Sequence, residues 1–264
     1  METRLVAVPP PAGGVYRLAR GPAEPFAPAD WNRADQDGTF GNRFDDPSAE
    51  DGRSPEERFR TIYCATQRAA TFGETVARFR PSVTLLAQLA DINDDESLEA
   101  ALAGAVDPED PRRGLIPADW RLRRHIGHTV LDSALVFVDI AAAETMQHLR
   151  WALAPLTDRL HLDDVDLSSL TSRQRRFTQG VARYVYEQQD PSGRPRFAGI
   201  RYPSRLNSEW ECWAVFDDRI RHRPGWPGFP ASVFPDDKDL MDVAKLFSLT
   251  IEVFPGQSHY IRPG

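Results

Sequence analysis

The sequence predicts an α+β fold built as a single domain. Segments with strand and helix patterns are interspersed along the 264 residues without a regular β-α-β alternation. The 22 prolines exclude a bundle of long helices, because proline ends helices and cannot donate to a sheet ladder. The chain shows no internal repeat and no low-complexity linker, so residues 1–264 are expected to share one core.

The N-terminal part is predicted to contain two strands separated by long loops. Residues 15–19 alternate in polarity and predict the first strand, whereas residues 21–58 are rich in Gly, Pro, Asp and Asn. Residues 61–65 predict a second strand that leads directly into a helix over 66–79. Thr66 is the expected N-cap of that helix.

The range 81–170 is expected to be a mainly helical insertion or elaboration of the domain. Its predicted elements are helices over 83–89, 97–103 and 141–153 and a strand over 134–139. The remaining predicted elements are a helix over 171–188, strands over 197–202 and 212–216, and a last helix over 238–247.

Composition and charge exclude several classes of function. The net charge is -7, from 32 basic and 39 acidic residues, which disfavours direct nucleic-acid binding. The most apolar run, 134–143, is too short for a membrane span and contains Asp139. Cys64 and Cys212 have no metal or redox spacing and are expected to be free thiols of a cytoplasmic protein.

The common nucleotide-binding, metal and hydrolase motifs are absent. The sequence has no P-loop, no G-x-G-x-x-G following a strand and no G-x-S-x-G nucleophile elbow. His125 and His128 form an H-x-x-H pair, but no further ligand stands at a diagnostic spacing. No metal is therefore expected.

Four short pieces of the sequence remain. They are Tyr16-Arg17, Gly41-Asn42-Arg43-Phe44, Tyr63 with Glu74 on the following helix, and Gly199-Ile200-Arg201-Tyr202-Pro203-Ser204. Together these pieces resemble the RES domain family. The family's conserved arginine is similar to Arg43, its glutamate to Glu74 and its serine to Ser204. Its Thr-Gln pair ahead of a helix is similar to Thr178-Gln179. Unlike the usual family loop, this one has Asn42 inserted, and Arg17 and Arg60 are alternatives for the arginine.

The resemblance implies an ADP-ribosyltransferase-like fold, with a mixed sheet surrounded by helices, and an activity on NAD+. Members of the family cleave the nicotinamide–ribose bond by hydrolysis or phosphorolysis, and several are toxins of type II toxin–antitoxin pairs. The partner implied is an Xre-type DNA-binding antitoxin, and inorganic phosphate is a candidate co-substrate. The oligomeric state stays open, a homo-oligomer included.

The resemblance also assigns roles that suit the chemistry of each side chain. Glu74 would stabilise the positive charge that develops on the ribose, and Ser204 would orient Glu74 or bind the ribose. Arg43 would bind the pyrophosphate or an incoming phosphate, with Arg17 as a further binding residue. Tyr63 would offer its ring to the nicotinamide.

Two other interpretations stay open from the sequence. Glu209 and Glu211 form a Glu-x-Glu pair of the kind that some protein-modifying ADP-ribosyltransferases use, which would make Glu211 catalytic and a protein the acceptor. The other interpretation is a non-catalytic protein that keeps an NAD-binding fold to bind a partner.

Overall fold

A computed structural model describes residues 4–21, 24–47, 52–54, 57–90, 114–220, 230–256, 259–261 and 263. Strands make two sheets. In chain order they are β1 (Ala7–Val8), β2 (Val15–Arg20), β3 (Thr61–Ala65), β4 (Leu115–Ile116), β5 (Arg124–Thr129), β6 (Phe137–Asp139), β7 (Gly199–Pro203), β8 (Glu211–Phe216), β9 (Ala231–Ser232), β10 (Thr250–Glu252) and β11 (Tyr260–Ile261).

Helices surround the sheets. They are α1 (Arg68–Val76), α2 (Val83–Ala90), α3 (Ala118–Leu122), α4 (Ala143–Ala152), α5 (Ala154–Arg159), α6 (Leu167–Leu170), α7 (Arg175–Tyr186) and α8 (Lys238–Leu246). None of those in the described ranges is long and apolar enough to cross a lipid bilayer.

The larger sheet has eight strands in the order β1-β6-β7-β8-β3-β2-β5-β9, and the smaller has the order β11-β10-β4. In the larger sheet β6 and β7 are parallel and the other described pairs are antiparallel. Mixed sheets with interspersed helices define an α+β protein, so the predicted fold class is confirmed.

Apolar side chains cover both faces of the larger sheet. On β8, Cys212 and Ala214 belong to the main hydrophobic cluster, under α1 and α7, and Trp213 and Val215 belong to a second cluster on the opposite face. This alternation follows from the pleat, which directs successive side chains to opposite sides. Burial on both faces explains why β3, β7 and β8 are nearly continuous apolar runs that the sequence reveals.

The larger sheet separates between β2 and β3. These two strands share a single residue pair, Tyr16 with Ala65. In contrast, β3 pairs with β8 over five residues and β2 pairs with β5 over six. The sheet therefore opens between two well-paired halves, and that opening positions the candidate site described below.

The expected start of α1 differs from the structure. Thr66 is not the N-cap of α1, which begins after Gln67. The Thr66 hydroxyl instead donates to Glu211 Oε1 at 2.6 Å and accepts from Trp213 Nε1 at 2.9 Å, so contacts with β8 outweigh local capping. The described part of 81–170 also contributes β5 and β6 to the larger sheet.

The sequence missed β5 because it reads Arg-His-Ile-Gly-His-Thr, which has only one large apolar residue. Pairing with β2 makes it a strand despite that composition. The helix predicted over 97–103 lies outside the described residues, and the single-domain division stays a prediction.

Gly73 lets α1 pack closely on the segment that precedes β8. A Cβ at this position would lie 2.0 Å from Cζ3 of the buried Trp210 ring. We expect Gly73→Ala to lower the free energy of unfolding by about 1–2 kcal/mol, although alanine favours helix formation. Urea denaturation measures this change.

Gly13→Ala is the matched control, because a Cβ on Gly13 would meet no atom within 4 Å. Its free energy of unfolding should stay within about 0.5 kcal/mol of the wild type. If Gly73→Ala were as stable as the control, close packing of α1 on Trp210 would be refuted.

Candidate active site

The loop over residues 40–46 is shaped by the side chain of Asp45. Asp45 Oδ2 accepts hydrogen bonds from the backbone N–H of Phe40 at 3.1 Å and of Asn42 at 2.7 Å. Gly41 has φ +68°, a left-handed conformation that glycine adopts without strain. Burial raises the pKa of Asp45, and the two backbone hydrogen bonds oppose that rise.

The same loop is attached to β3 by side chains of that strand. The Tyr63 hydroxyl donates to Asp45 Oδ1 at 3.0 Å and accepts from the Phe44 N–H at 2.8 Å. The Thr61 hydroxyl donates to the Phe44 carbonyl at 2.7 Å. Burial and the nearby Asp45 carboxylate raise the pKa of Tyr63 well above its usual value. Both polar functions of the Tyr63 hydroxyl are therefore committed to the loop.

Helix α7 holds the loop from the other side through three residues spaced four apart. Arg175 Nε, Gln179 Nε2 and Arg183 Nη1 are the donors. Their acceptors are the Gly41 carbonyl at 3.0 Å, the Asn42 carbonyl at 3.2 Å and Asp46 Oδ2 at 3.0 Å. Residues four apart share one face of a helix, so α7 presents a continuous polar edge to the loop.

The Thr178-Gln179 pair lies inside α7, within the range 171–188 that the sequence predicts as a helix. Thr178 is fully buried and Gln179 is 5% exposed. Inside the helix Gln179 can reach the loop carbonyl, which gives this pair a structural role in positioning Arg43.

Arg43 is the loop residue that reaches the cleft. Its side chain is buried, and its Cζ lies 5.6 Å from the centroid of the Tyr202 ring. Phe44, the next residue, packs its ring edge against the same tyrosine with centroids 4.9 Å apart. Arg43 Nε is buried and has no hydrogen-bond partner among the described residues. A donor left unpaired at a cleft is suited to an anionic ligand.

Glu74 and Ser204 meet although they are 130 positions apart in the sequence. The Ser204 hydroxyl donates to Glu74 Oε1 and accepts from the Leu206 N–H at 3.0 Å. The Ser204 N–H donates to the Trp210 carbonyl at 2.9 Å, which fixes the backbone behind the hydroxyl. Ser204 is buried, whereas Glu74 is exposed at the cleft surface and so remains accessible to a ligand.

Arg43, Tyr63 and Glu74 line one cleft of about 450 Å³, and Ser204 contacts it through Glu74. Four arginines line it: Arg17, Arg43, Arg175 and Arg205. Burial and the neighbouring Arg43 lower the pKa of Arg175. Partial desolvation, together with Arg43 and Arg173, lowers the pKa of Arg205. The cleft is thus rich in positive charge in a chain whose net charge is -7.

The two alternative arginines are partly committed elsewhere. Arg17 lines the cleft, but its Nη1 donates to the Ala27 carbonyl at 3.0 Å. Arg60 forms an ion pair with Asp217 at 2.9 Å. Of Arg17, Arg43 and Arg60, Arg43 is the one with a buried side-chain nitrogen, Nε, that has no hydrogen-bond partner in the described chain.

Glu211 lies on the opposite face of the sheet from Tyr63 and Tyr202. It pairs with Arg201 Nε at 2.6 Å and accepts from Thr66, and Arg201 also pairs with Asp139 at 2.7 Å. Glu209 is exposed in the turn before β8. The structure therefore does not bring the Glu-x-Glu pair to the cleft that holds Arg43 and Glu74.

The histidines noted in the sequence contact backbone oxygens. His125 Nδ1 lies 3.1 Å from the Gly21 carbonyl and His128 Nε2 lies 2.8 Å from the Gly13 carbonyl. Within the described ranges no group of three His, Cys, Asp or Glu residues is arranged to hold a metal ion.

Sequence reasoning missed Asp45, Arg175 and Arg205 as residues of the site. The four-residue spacing of Arg175, Gln179 and Arg183 along one face of an amphipathic helix was the available signal for α7. Arg205 had no such signal, because one arginine in a turn resembles any solvated arginine of this arginine-rich chain.

One comparison with known proteins gives a match. The family model described as RES domain matches residues 15–227. The matched range includes β2, the arginine loop, α1, and β7 with Ser204 directly after it. No curated protein and no solved structure matches the chain.

Tyr63→Phe tests how the arginine loop is held. The substitution keeps the ring but leaves the Phe44 N–H and one oxygen of Asp45 without their partner. We expect a loss of about 1–3 kcal/mol in the free energy of unfolding. In a thermal scan that corresponds to a lower Tm by about 2–4 °C for each kcal/mol.

Tyr16→Phe is the control, because the Tyr16 ring packs at a tilt against His128 with centroids 4.4 Å apart and its hydroxyl makes no hydrogen bond within the described chain. Equal Tm values for the two variants would contradict the proposed attachment of the loop.

Proposed function

Because this chain belongs to the RES domain family, a toxin-type family related to NAD, we propose that it degrades NAD+ by cleaving the nicotinamide–ribose bond. The observation that carries the proposal is the hydrogen bond from buried Ser204 to the accessible Glu74 carboxylate, at a cleft also lined by Arg43 and Tyr63. This combination offers an anionic group beside cationic and aromatic ones, which suits a dinucleotide with a reactive ribose.

Glu74 is the proposed catalytic carboxylate. When the nicotinamide leaves, it takes the electron pair of the N–C bond and becomes neutral, while positive charge develops on the ribose C1. A fixed carboxylate stabilises that charge more strongly in the transition state than in the bound substrate. The Ser204 hydrogen bond limits the motion of Glu74 and so reduces the reorganisation needed during the reaction.

Arg43 and its neighbours are the proposed pyrophosphate site. Arg43 Nε is unpaired, and burial together with the neighbouring cations of the cleft lowers the pKa values of Arg175 and Arg205. Binding of a dianionic pyrophosphate would relieve this repulsion and satisfy the unpaired donor. Arg17 also lines this cleft and is proposed as a further residue that binds NAD+.

Tyr63 is the proposed surface for the nicotinamide ring. Its hydroxyl is occupied by Asp45 and Phe44, so the ring is held in one orientation. A fixed aromatic face contributes stacking at a low entropic cost.

The proposed acceptor at the ribose C1 is water or inorganic phosphate. Water adds its oxygen to C1 and releases a proton, giving ADP-ribose, whereas phosphate adds one of its oxygens and gives ADP-ribose phosphorylated on C1. Reactions run with and without phosphate, followed by mass analysis of the products, identify the acceptor.

The protein-modifying interpretation has less support. It requires Glu211 to act at the site, but both Glu211 oxygens are used by Arg201 and Thr66 on the other face of the sheet. The non-catalytic interpretation leaves the Ser204–Glu74 contact and the unpaired Arg43 nitrogen without a function.

We further propose that the protein is the toxin of a type II toxin–antitoxin pair in the cytoplasm, silenced by an Xre-type antitoxin. An enzyme that consumes NAD+ would deplete its own cell unless a partner blocked it. The net charge of -7 would suit a basic partner.

Glu74→Gln is expected to lower kcat for NAD+ cleavage by about 10²–10³, because it removes the charge but retains the size and most of the hydrogen bonding. KM should change less, since the charge matters most in the transition state. NAD+ consumption by the purified variant measures both parameters.

Glu211→Gln and Glu209→Gln are the matched controls, each checked for folding by circular dichroism. Both should retain NAD+ cleavage. The proposal is falsified if Glu211→Gln loses activity while Glu74→Gln keeps it, which is the order that the protein-modifying interpretation requires.

Expression of the wild-type chain alone in bacteria is expected to slow growth and lower cellular NAD+. Glu74→Gln at the same soluble level is the control and should permit growth. Normal growth and normal NAD+ with soluble wild-type protein would rule out the toxin role.

A further inference from the structure

A second cleft, of about 720 Å³, adjoins the candidate active site. It lies between the end of α1, the start of α2 and the end of α8, as shown by its lining residues Ala77, Ser82 and Leu246. Glu74 and Arg205 line both clefts, so the two volumes meet at these side chains.

Four arginines line this second cleft: Arg78, Arg80, Arg173 and Arg205. None of them forms an ion pair or side-chain hydrogen bond with another residue of the described chain. Glu74 is the one carboxylate among the described lining residues. Elsewhere many arginines are paired, for example Arg68 with Asp237. Unpaired cations concentrated in a concave surface indicate a site for a polyanion.

One wall of the second cleft combines a cation with an aromatic ring. Arg80 Cζ lies 4.7 Å from the centroid of the Phe247 ring, and Phe247 is buried below it. A guanidinium held against an aromatic ring forms a flat cationic surface. Nucleobases stack on such arginine planes as well as on aromatic rings.

We propose that the second cleft binds the phosphorylated adenosine half of the dinucleotide. This inference rests on the proposed function, which assigns the nicotinamide half to the cleft with Tyr63. The two halves of NAD+ are joined by the pyrophosphate, so the pyrophosphate passes where the two clefts meet, at Arg205. The adenine then stacks on the Arg80–Phe247 wall, and Arg173 contributes to binding the phosphates.

The same cleft accepts a phosphate on the adenosine ribose. Sites that select NAD+ against NADP+ commonly use an acidic side chain on the ribose 2′-hydroxyl, whereas arginines accommodate a 2′-phosphate. The described residues that line the second cleft include four arginines and one acidic residue, Glu74. The proposed function assigns Glu74 to the ribose of the nicotinamide half. NADP+ is therefore expected to be bound as well as NAD+.

A kinetic comparison of NAD+ with nicotinamide mononucleotide tests the site, because the mononucleotide lacks the adenosine half. Arg80→Ala and Arg173→Ala are each expected to raise KM for NAD+ about tenfold, the usual effect of losing one charged contact. The effect should be absent with the mononucleotide. Arg123→Ala is the control, since Arg123 is exposed and pairs with Asp119 outside both clefts.

Two results would overturn the inference. One is an unchanged KM for NAD+ in both Arg80→Ala and Arg173→Ala. The other is an equal rise for NAD+ and the mononucleotide, which would indicate a general structural effect. Failure of NADP+ to compete with NAD+ would overturn the part that concerns the 2′-phosphate.

Calorimetric titration with ADP separates this inference from the proposed function, because it needs no turnover. Glu74→Gln protein is expected to bind ADP, and adding Arg80→Ala to it should weaken binding about tenfold. If wild-type protein binds ADP through Arg80 but does not cleave NAD+, the proposed activity is refuted, whereas the proposed adenosine site in the second cleft stands. If the protein cleaves NAD+ but its binding of ADP does not depend on Arg80 or Arg173, the adenosine site is refuted and the proposed activity stands.

Discussion

The single residue pair between β2 and β3 is the constraint on which the candidate site depends. β2 leaves β3 after Tyr16 and Ala65, so a cleft lined by Arg17 and Tyr63 opens between the two strands. The loop over 40–46 is attached to β3 by two side chains of that strand: the Thr61 hydroxyl donates to the Phe44 carbonyl, and the Tyr63 hydroxyl accepts from the Phe44 N–H. The position of Arg43 therefore follows from how the sheet opens, and α7 fixes the loop from its other side.

The distribution of charge separates structural from functional arginines. Arg201 links Asp139 and Glu211 on one face of the sheet, and Arg68 binds Asp237 beside α1, so these cations stabilise the fold. The arginines around the two clefts lie close to one another instead, and burial together with the neighbouring Arg43 and Arg173 lowers the pKa of Arg205. A net charge of -7 describes the whole chain and says nothing about this local excess of positive charge.

Glu74 would be an ordinary exposed residue of an amphipathic helix without its tertiary contacts. Gly73 has no side chain, so α1 approaches Trp210 closely, and the Trp210 carbonyl binds the Ser204 N–H. Ser204 is then in reach of the Glu74 carboxylate. A helix–sheet contact made for packing thus also orients the proposed catalytic group, which couples the stability of α1 to the proposed chemistry.

The sequence by itself determined the α+β class, the strands over 61–65, 197–202 and 212–216, and the RES family through Tyr63, Glu74 and the 199–204 segment. Apolar patterning and motif spacing can be recognised without the tertiary structure. The sequence did not reveal β5, whose polar residues become a strand only by pairing with β2. Nor did it reveal that Thr66 bonds to β8 or that α7 holds the arginine loop. The meeting of the two clefts was decided only by the tertiary structure, since arginines distant in sequence are indistinguishable from solvated ones until the chain brings them together.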